Sequence, residues 1–126
     1  MTAHQKIQSY LIDLGIEHEE LGANAWIIND DQKGLEQVLV ILEEPVVIFR
    51  VKTMSRPKEN REAFYEELLR LNAQDIVHGA YALEGDDIII IDTLEVENLD
   101  REEFQATIDS IGLALTQHYQ LLAKYR

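Results

Sequence analysis

The chain has 126 residues, 24 acids against 11 lysines and arginines, four histidines and no cysteine, for a formal charge of −13. With 46% apolar and 28% charged residues it reads neither as a disordered tail nor as a membrane protein: its longest aliphatic run, Ile88–Ile91, falls far short of the roughly 20 apolar residues of a spanning helix. The lack of cysteine excludes disulfides, thiolate nucleophiles and cysteine-ligated zinc, so the fold must rest on packing.

The length predicts one domain over residues 1–126, and no apolar leader follows Met1, which predicts a cytoplasmic protein. Thr2 is an N-cap candidate, and Ala3, Ile7, Tyr10, Leu11 and Leu14 recur at helical spacing up to Gly15, which predicts a first amphipathic helix. After the charged stretch Glu17-His18-Glu19-Glu20, the β-prone segment Ala25–Asn29 predicts a strand, closed by a polar turn over 29–34. Leu35–Leu42 and Val46–Met54, separated by Glu43-Glu44-Pro45, extend it into a three-stranded meander. In the third strand Val47, Phe49 and Val51 point one way, the expected core face, while Val46, Ile48, Arg50 and Lys52 point the other. That second face begins apolar and turns basic, which marks either cover by a neighbouring loop or a groove or subunit contact.

Pro57 suits the first turn of a helix, predicted from about Lys58 to Ala73, with Phe64, Leu68 and Leu71 as its buried stripe. Asn72, beside that stripe, reads as a hydrogen-bonding residue at the helix end. Ile76–Leu83 and Asp87–Leu94 form a predicted hairpin through Glu84-Gly85-Asp86, and the four isoleucines place its second strand inside the sheet. The last helix has the clearest start: Asp100 and Glu103 fit a capping box, and Leu99 and Phe104 a hydrophobic staple. Taken from Arg101 to Lys124 it spans about 36 Å, with Phe104, Ile108, Ile111, Leu115, Tyr119 and Leu122 on one face. Gly112 interrupts this helix and Leu113 lies on its far side, which predicts close approach of a second helix there.

The order α-β-β-β-α-β-β-α predicts an α+β fold, a five-stranded antiparallel sheet packed with helices. Leu14-Gly15-Ile16, Val46-Val47-Ile48-Phe49-Arg50-Val51, Leu68-Leu69-Arg70-Leu71-Asn72-Ala73 and Leu99-Asp100-Arg101-Glu102-Glu103-Phe104 carry a resemblance to the YbjN family, which is similar in fold to the CesT-type chaperones of type III secretion. The resemblance spans nearly the whole chain and rests on strand, helix and cap signatures. It implies a secretion chaperone-like fold, no catalytic residues to carry over, and, by analogy with the chaperones, a dimer that holds extended segments of partner proteins.

The search for reaction chemistry returns mostly absences. The six glycines are scattered and form no phosphate-binding loop. His4, His18, His78 and His118 lack metal-ligand spacing, and the turn at 29–34 fails as a calcium loop because Val40 stands where the bidentate glutamate belongs. Adjacent acids such as Glu66-Glu67 and Asp86-Asp87 read as solvated pairs, while Glu102 and Glu103 favour a helix N-terminus. None of Ser9, Ser55 and Ser110 sits in a nucleophile elbow. The sequence therefore predicts no enzyme, no catalytic residue, no metal and no cofactor.

Charge is unevenly placed: residues 84 to 103 hold nine acids and one base, whereas residues 50 to 61 hold Arg50, Lys52, Arg56, Lys58 and Arg61 against Glu59 alone. A charge of −13 disfavours nucleic acid and anionic membrane, yet a local basic patch still acts within about 8–10 Å. Two roles follow. The first is a non-catalytic protein-binding module, chaperone-like or regulatory and homodimeric, whose partner-binding residues are Val46, Ile48, Arg50, Lys52, Arg56, Lys58 and Arg61. The second is a binder of a small anionic ligand or nucleic-acid phosphate through Arg50 to Arg61, whose affinity would fall steeply with salt. A structural alternative for Arg50 is an ion pair with an acid of a neighbouring strand.

Overall fold

The computed structural model describes all residues from Met1 to Arg126. Its elements are α1 (Ala3–Asp13), β1 (His18–Glu20), β2 (Ala25–Asp30), β3 (Leu35–Glu43), β4 (Val46–Ser55), α2 (Arg61–Gln74), β5 (Ala80–Glu84), β6 (Asp87–Glu95) and α3 (Arg101–Leu121). The strands form one antiparallel sheet in the order β1-β2-β3-β4-β6-β5. It has six strands, not five. The added strand is His18–Glu20, three half-buried or exposed polar residues held to β2 by backbone pairing alone, so no hydrophobic alternation marks it. β6 lies inside the sheet between β4 and β5, as its isoleucine run predicts.

Strand alternation decides where the helices sit. Trp26, Ile28, Val38, Val40, Val47, Phe49, Val51, Ile88 and Ile90 are buried in one apolar cluster with residues of all three helices. α1 contributes Ile7 and Leu11, α2 contributes Phe64, Leu68 and Leu71, and α3 contributes Phe104, Ile108 and Ile111. Polar groups fix α1 in place. Trp26 Nε1 donates to Gln8 Oε1 at 2.6 Å, Lys6 Nζ to Val96 O at 2.8 Å, and the Tyr10 hydroxyl to Leu99 O at 3.0 Å. The Thr2 capping box is complete, with Gln5 as its partner.

Four helix expectations need correction. α2 starts at Arg61, not Lys58, because Asn60 takes a left-handed φ of 57° and Pro57 lies ahead of the helix, its carbonyl accepting from Arg61 Nε at 2.7 Å. α3 ends at Leu121, and a short 3-10 turn over Ala123–Tyr125 follows. Its buried stripe is turned toward Thr107, Ala114 and His118, leaving Tyr119 57% exposed although its spacing predicts the core face. Gly112 does permit close approach, but of a loop. A Cβ there would lie 2.6 Å from Lys33 O, and one on Gly34, whose φ is +69°, would meet the Thr116 methyl at 2.7 Å. The β2–β3 connection is thereby pressed against α3. No helix is long and apolar enough to cross a membrane.

Candidate protein-docking face

With the helices on one face of the sheet, the second set of alternating side chains faces away from the core. On β4 this set is Val46, Ile48, Arg50 and Lys52, the first three half-buried and Lys52 exposed. The core assignment of Val47, Phe49 and Val51 holds: all three are buried. Cross-strand register extends the outer face sideways. Ile48 stands opposite Ile41 of β3 and Thr93 of β6; Arg50 stands opposite Leu39 and Ile91; Leu39 in turn faces Ile27 of β2. Ile27, Leu39, Ile41, Val46, Ile48 and Ile91 are each half-buried, so an aliphatic band runs across four strands. Sequence reasoning named only its β4 members. The signal for the rest was present: in Ala25–Ile28 and Val38–Leu42 both alternating sets are apolar, a pattern that demands cover on both faces.

The bases divide between two places. Arg50, Lys52 and Arg56 are all paired with the acidic β5–β6 hairpin: Arg50 with Glu84, Lys52 with Asp87 at 3.2 Å, and Arg56 with Asp86 at 2.6 Å. Nine acids in residues 84 to 103 and the bases of β4 thus meet in part across the sheet, and Arg50 has the structural ion pair weighed for it. These pairs are partly exposed, so each is worth about 0–1 kcal/mol and their main effect is to orient the basic side chains. Lys58 lies exposed in the β4–α2 connection, and Arg61 is the first residue of α2.

Asn72 at the end of α2 grips the outer edge of the sheet. Its Oδ1 accepts from Tyr81 N at 2.7 Å and its Nδ2 donates to Tyr81 O at 3.3 Å, so β5 is partly closed to strand addition. Deeper, the buried His118 ring sits between the Tyr81 hydroxyl, 2.7 Å from Nδ1, and Asp75 Oδ2, 3.2 Å from Nε2. The assignment that gives each atom a complementary partner has Tyr81 donating to Nδ1 and Nε2–H donating to Asp75. Burial pushes the Tyr81 phenol well above the ordinary tyrosine value, Arg126 opposing and Asp75 adding to the rise. It stays a donor at neutral pH.

The sign of the pH effect follows. The unfolded phenol loses its proton near pH 10, the folded one only higher, so stability carried by Tyr81 is intact below about pH 10 and is lost as the pH rises toward the folded value. Tyr81→Phe should lower stability by about 1 kcal/mol at neutral pH by removing the bond to His118. Thermal melts should show the gap between variant and wild type narrowing above about pH 10. A gap constant across that range would contradict the assignment.

Residues 1–126 match the family model CesT_Tir_1. The chain belongs to the CesT_Tir_1 family. No curated protein sequence matches it. Among solved structures, YbjN from E. coli is similar over 93% of this chain and 91% of its own, with 16% identity and a TM-score of 0.66. A chain of the heterodimeric ExoU-SpcU complex from the type III secretion system of Pseudomonas aeruginosa matches over 91% of this chain and 96% of its own, at 11% identity and a TM-score of 0.65. The Yersinia pestis structure of the type III secretion chaperone SycH with a stable fragment of YscM2 matches over 92% and 98%, at 16% identity and a TM-score of 0.63. At these identities the likeness establishes a shared fold. The CesT_Tir_1 member described here therefore has the α+β architecture common to YbjN and the secretion chaperones, as its strand, helix and cap signatures imply.

Proposed function

We propose that residues 1–126 act as one non-catalytic protein-binding module, chaperone-like or regulatory, that works as a homodimer and uses the outer face of the sheet as its docking surface. The observation that carries this reading is the aliphatic band from Ile27 to Ile91, which no helix of the chain covers. A contiguous apolar sheet face needs a second layer, and a second copy or an extended partner segment supplies it. Val46 and Ile48 lie centrally in this surface, and Arg50 and Lys52, oriented by Glu84 and Asp87, form its charged flank. Two solved relatives, SycH with its YscM2 fragment and ExoU-SpcU, are protein complexes, which supports a protein partner; a cytoplasmic setting is part of the same proposal.

The test is solution mass by light scattering. Ile41 and Ile48 stand directly opposite one another, so Ile41→Glu with Ile48→Lys replaces an apolar cross-strand pair with an oppositely charged one that the fold tolerates. The wild type is expected at twice 14.5 kDa in the micromolar range, little affected by salt, and the folded double variant at 14.5 kDa. A wild-type species of 14.5 kDa throughout that range would remove the homodimer from the reading.

A further inference from the structure

At the opposite end of β4 from Val46, the β4–α2 connection and the last turn of the chain line an open cavity of about 530 Å³. Its walls carry four bases, Arg56, Lys58, Lys124 and Arg126, against one acid, Glu59, and Tyr125 contributes an aromatic side. In a chain of charge −13 this is an inversion of the local sign. The acids that pair with two of these bases stand outside the walls: Asp86 holds Arg56 at 2.6 Å and Glu67 holds Lys124 at 3.5 Å.

Arg56 is held in a particular way. Its backbone N–H donates to Asp86 O at 2.7 Å and its Nη2 to Asp86 Oδ1, while its Nε is buried and has no acceptor. That nitrogen is closed to solvent, so Arg56 offers the cavity its charge and the exposed remainder of its guanidinium. Arg126 is also fixed, its Nη1 donating to Tyr119 O at 2.7 Å and its guanidinium lying 4.2 Å from the Tyr119 ring. Lys58 has no acid partner within ion-pair distance.

We infer that this cavity binds a small multivalent oxyanion of the phosphate class, with Lys58 and Lys124 supplying ammonium charges and the Arg56 guanidinium a third positive group beside them. The volume falls in the roughly 300–1,000 Å³ range of small-ligand sites, and ammonium groups beside a guanidinium are a donor set that recognises phosphate oxygens. The site is separate from the outer sheet face: Arg50 and Lys52 do not line it, and two of its bases come from the chain end that the sequence did not connect with the 50–61 patch.

Calorimetric titration of the full chain with pyrophosphate, with inorganic phosphate and with a single-stranded oligonucleotide, all at fixed ionic strength, tests this. Pyrophosphate is expected to saturate one site per chain and to bind more tightly than phosphate. Lys58→Gln with Lys124→Gln, which removes both charges at exposed positions without setting a carboxylate against Glu67, should weaken it on the order of tenfold with the melting temperature little changed. Arg56→Gln, which removes the third positive group, should also weaken it. Absence of saturable binding, equal affinity in the Lys58/Lys124 variant, or an oligonucleotide bound more tightly than pyrophosphate would each overturn the inference. Light scattering of the same variant separates this result from the docking reading, because Lys58 and Lys124 lie off the outer face and dimer mass should not change.

Discussion

Phe104→Ala is expected to lower the unfolding free energy by about 3–5 kcal/mol, a large part of the roughly 5–15 kcal/mol that holds a domain of this size. Phe104 is fully buried at the start of α3, and its ring lies 5.3 Å from Phe49 of β4 and 5.6 Å from Tyr10 of α1. Truncation removes both ring contacts and opens a cavity where two helices meet the sheet. Neighbouring rings attached to a sheet and a helix collapse into that space only in part, which puts the cost at the upper end for a core deletion. Urea unfolding followed by circular dichroism measures it. Leu113→Ala in the same helix, at a side chain 56% exposed, should stay within about 0.5 kcal/mol. Similar midpoints for the two variants would contradict this packing.

Gly112→Ala should destabilise by about 1–3 kcal/mol, and Gly112→Val by more, although replacing a mid-helix glycine by alanine ordinarily gains up to about 1 kcal/mol. The reversal comes from Lys33 O, 2.6 Å from the position a Cβ would take. That atom is backbone, in a connection itself pinned by Gly34 against Thr116, so it cannot swing aside as a flexible side chain would. In a domain of 126 residues each kcal/mol moves the melting temperature by about 3–6 °C, so a thermal scan resolves the series. A rise in melting temperature for Gly112→Ala would mean the loop stands off α3.

These two positions also show what the sequence could and could not convey. Leu99-Asp100 and Glu103-Phe104 are local signals: the bond from Glu103 N to Asp100 Oδ1 at 2.7 Å forms where they predict, and Leu99 and Phe104 are both buried. Gly112 predicted a close approach but of a second helix, whereas the partner is a loop nearly 80 residues earlier in the chain, and local spacing carries no such information. His118 and Tyr119 differ by one step around the wheel. Only the Tyr81 and Asp75 partners, distant in sequence, make the polar side chain the buried one. β1 escaped for a related reason: an edge strand of His-Glu-Glu is held by backbone pairing to β2 and by Gln8 and His4 of α1 against His18 and Glu20, to none of which the side-chain pattern points.

The candidate surface was legible by half. The mixed phase of Val46–Lys52 pointed to a face that was neither core nor plain solvent, and this is where the outer sheet face lies. Its breadth depends on register, which places Ile41 and Thr93 on either side of Ile48, and register is a property of the assembled sheet. The basic patch, contiguous in sequence, is divided in space: Arg50 and Lys52 belong to the sheet face, whereas Arg56 and Lys58 turn toward the chain end. Pairing with Glu84, Asp86 and Asp87 leaves Arg50, Lys52 and Arg56 less able to act as an open array than their sum of charges suggests.

The central claim is that a second protein layer covers the outer face of the sheet, and methyl NMR with a soluble nitroxide measures that cover directly. At micromolar concentration the methyl signals of Ile27, Ile41, Ile48 and Ile91 should be shielded from the probe to a degree close to core methyls such as Ile90, while exposed Ile12 and Leu113 are bleached. Bleaching of the four sheet-face isoleucines to the extent seen for Ile12 and Leu113, in wild type and in the Ile41→Glu/Ile48→Lys variant alike for those that remain, would contradict it.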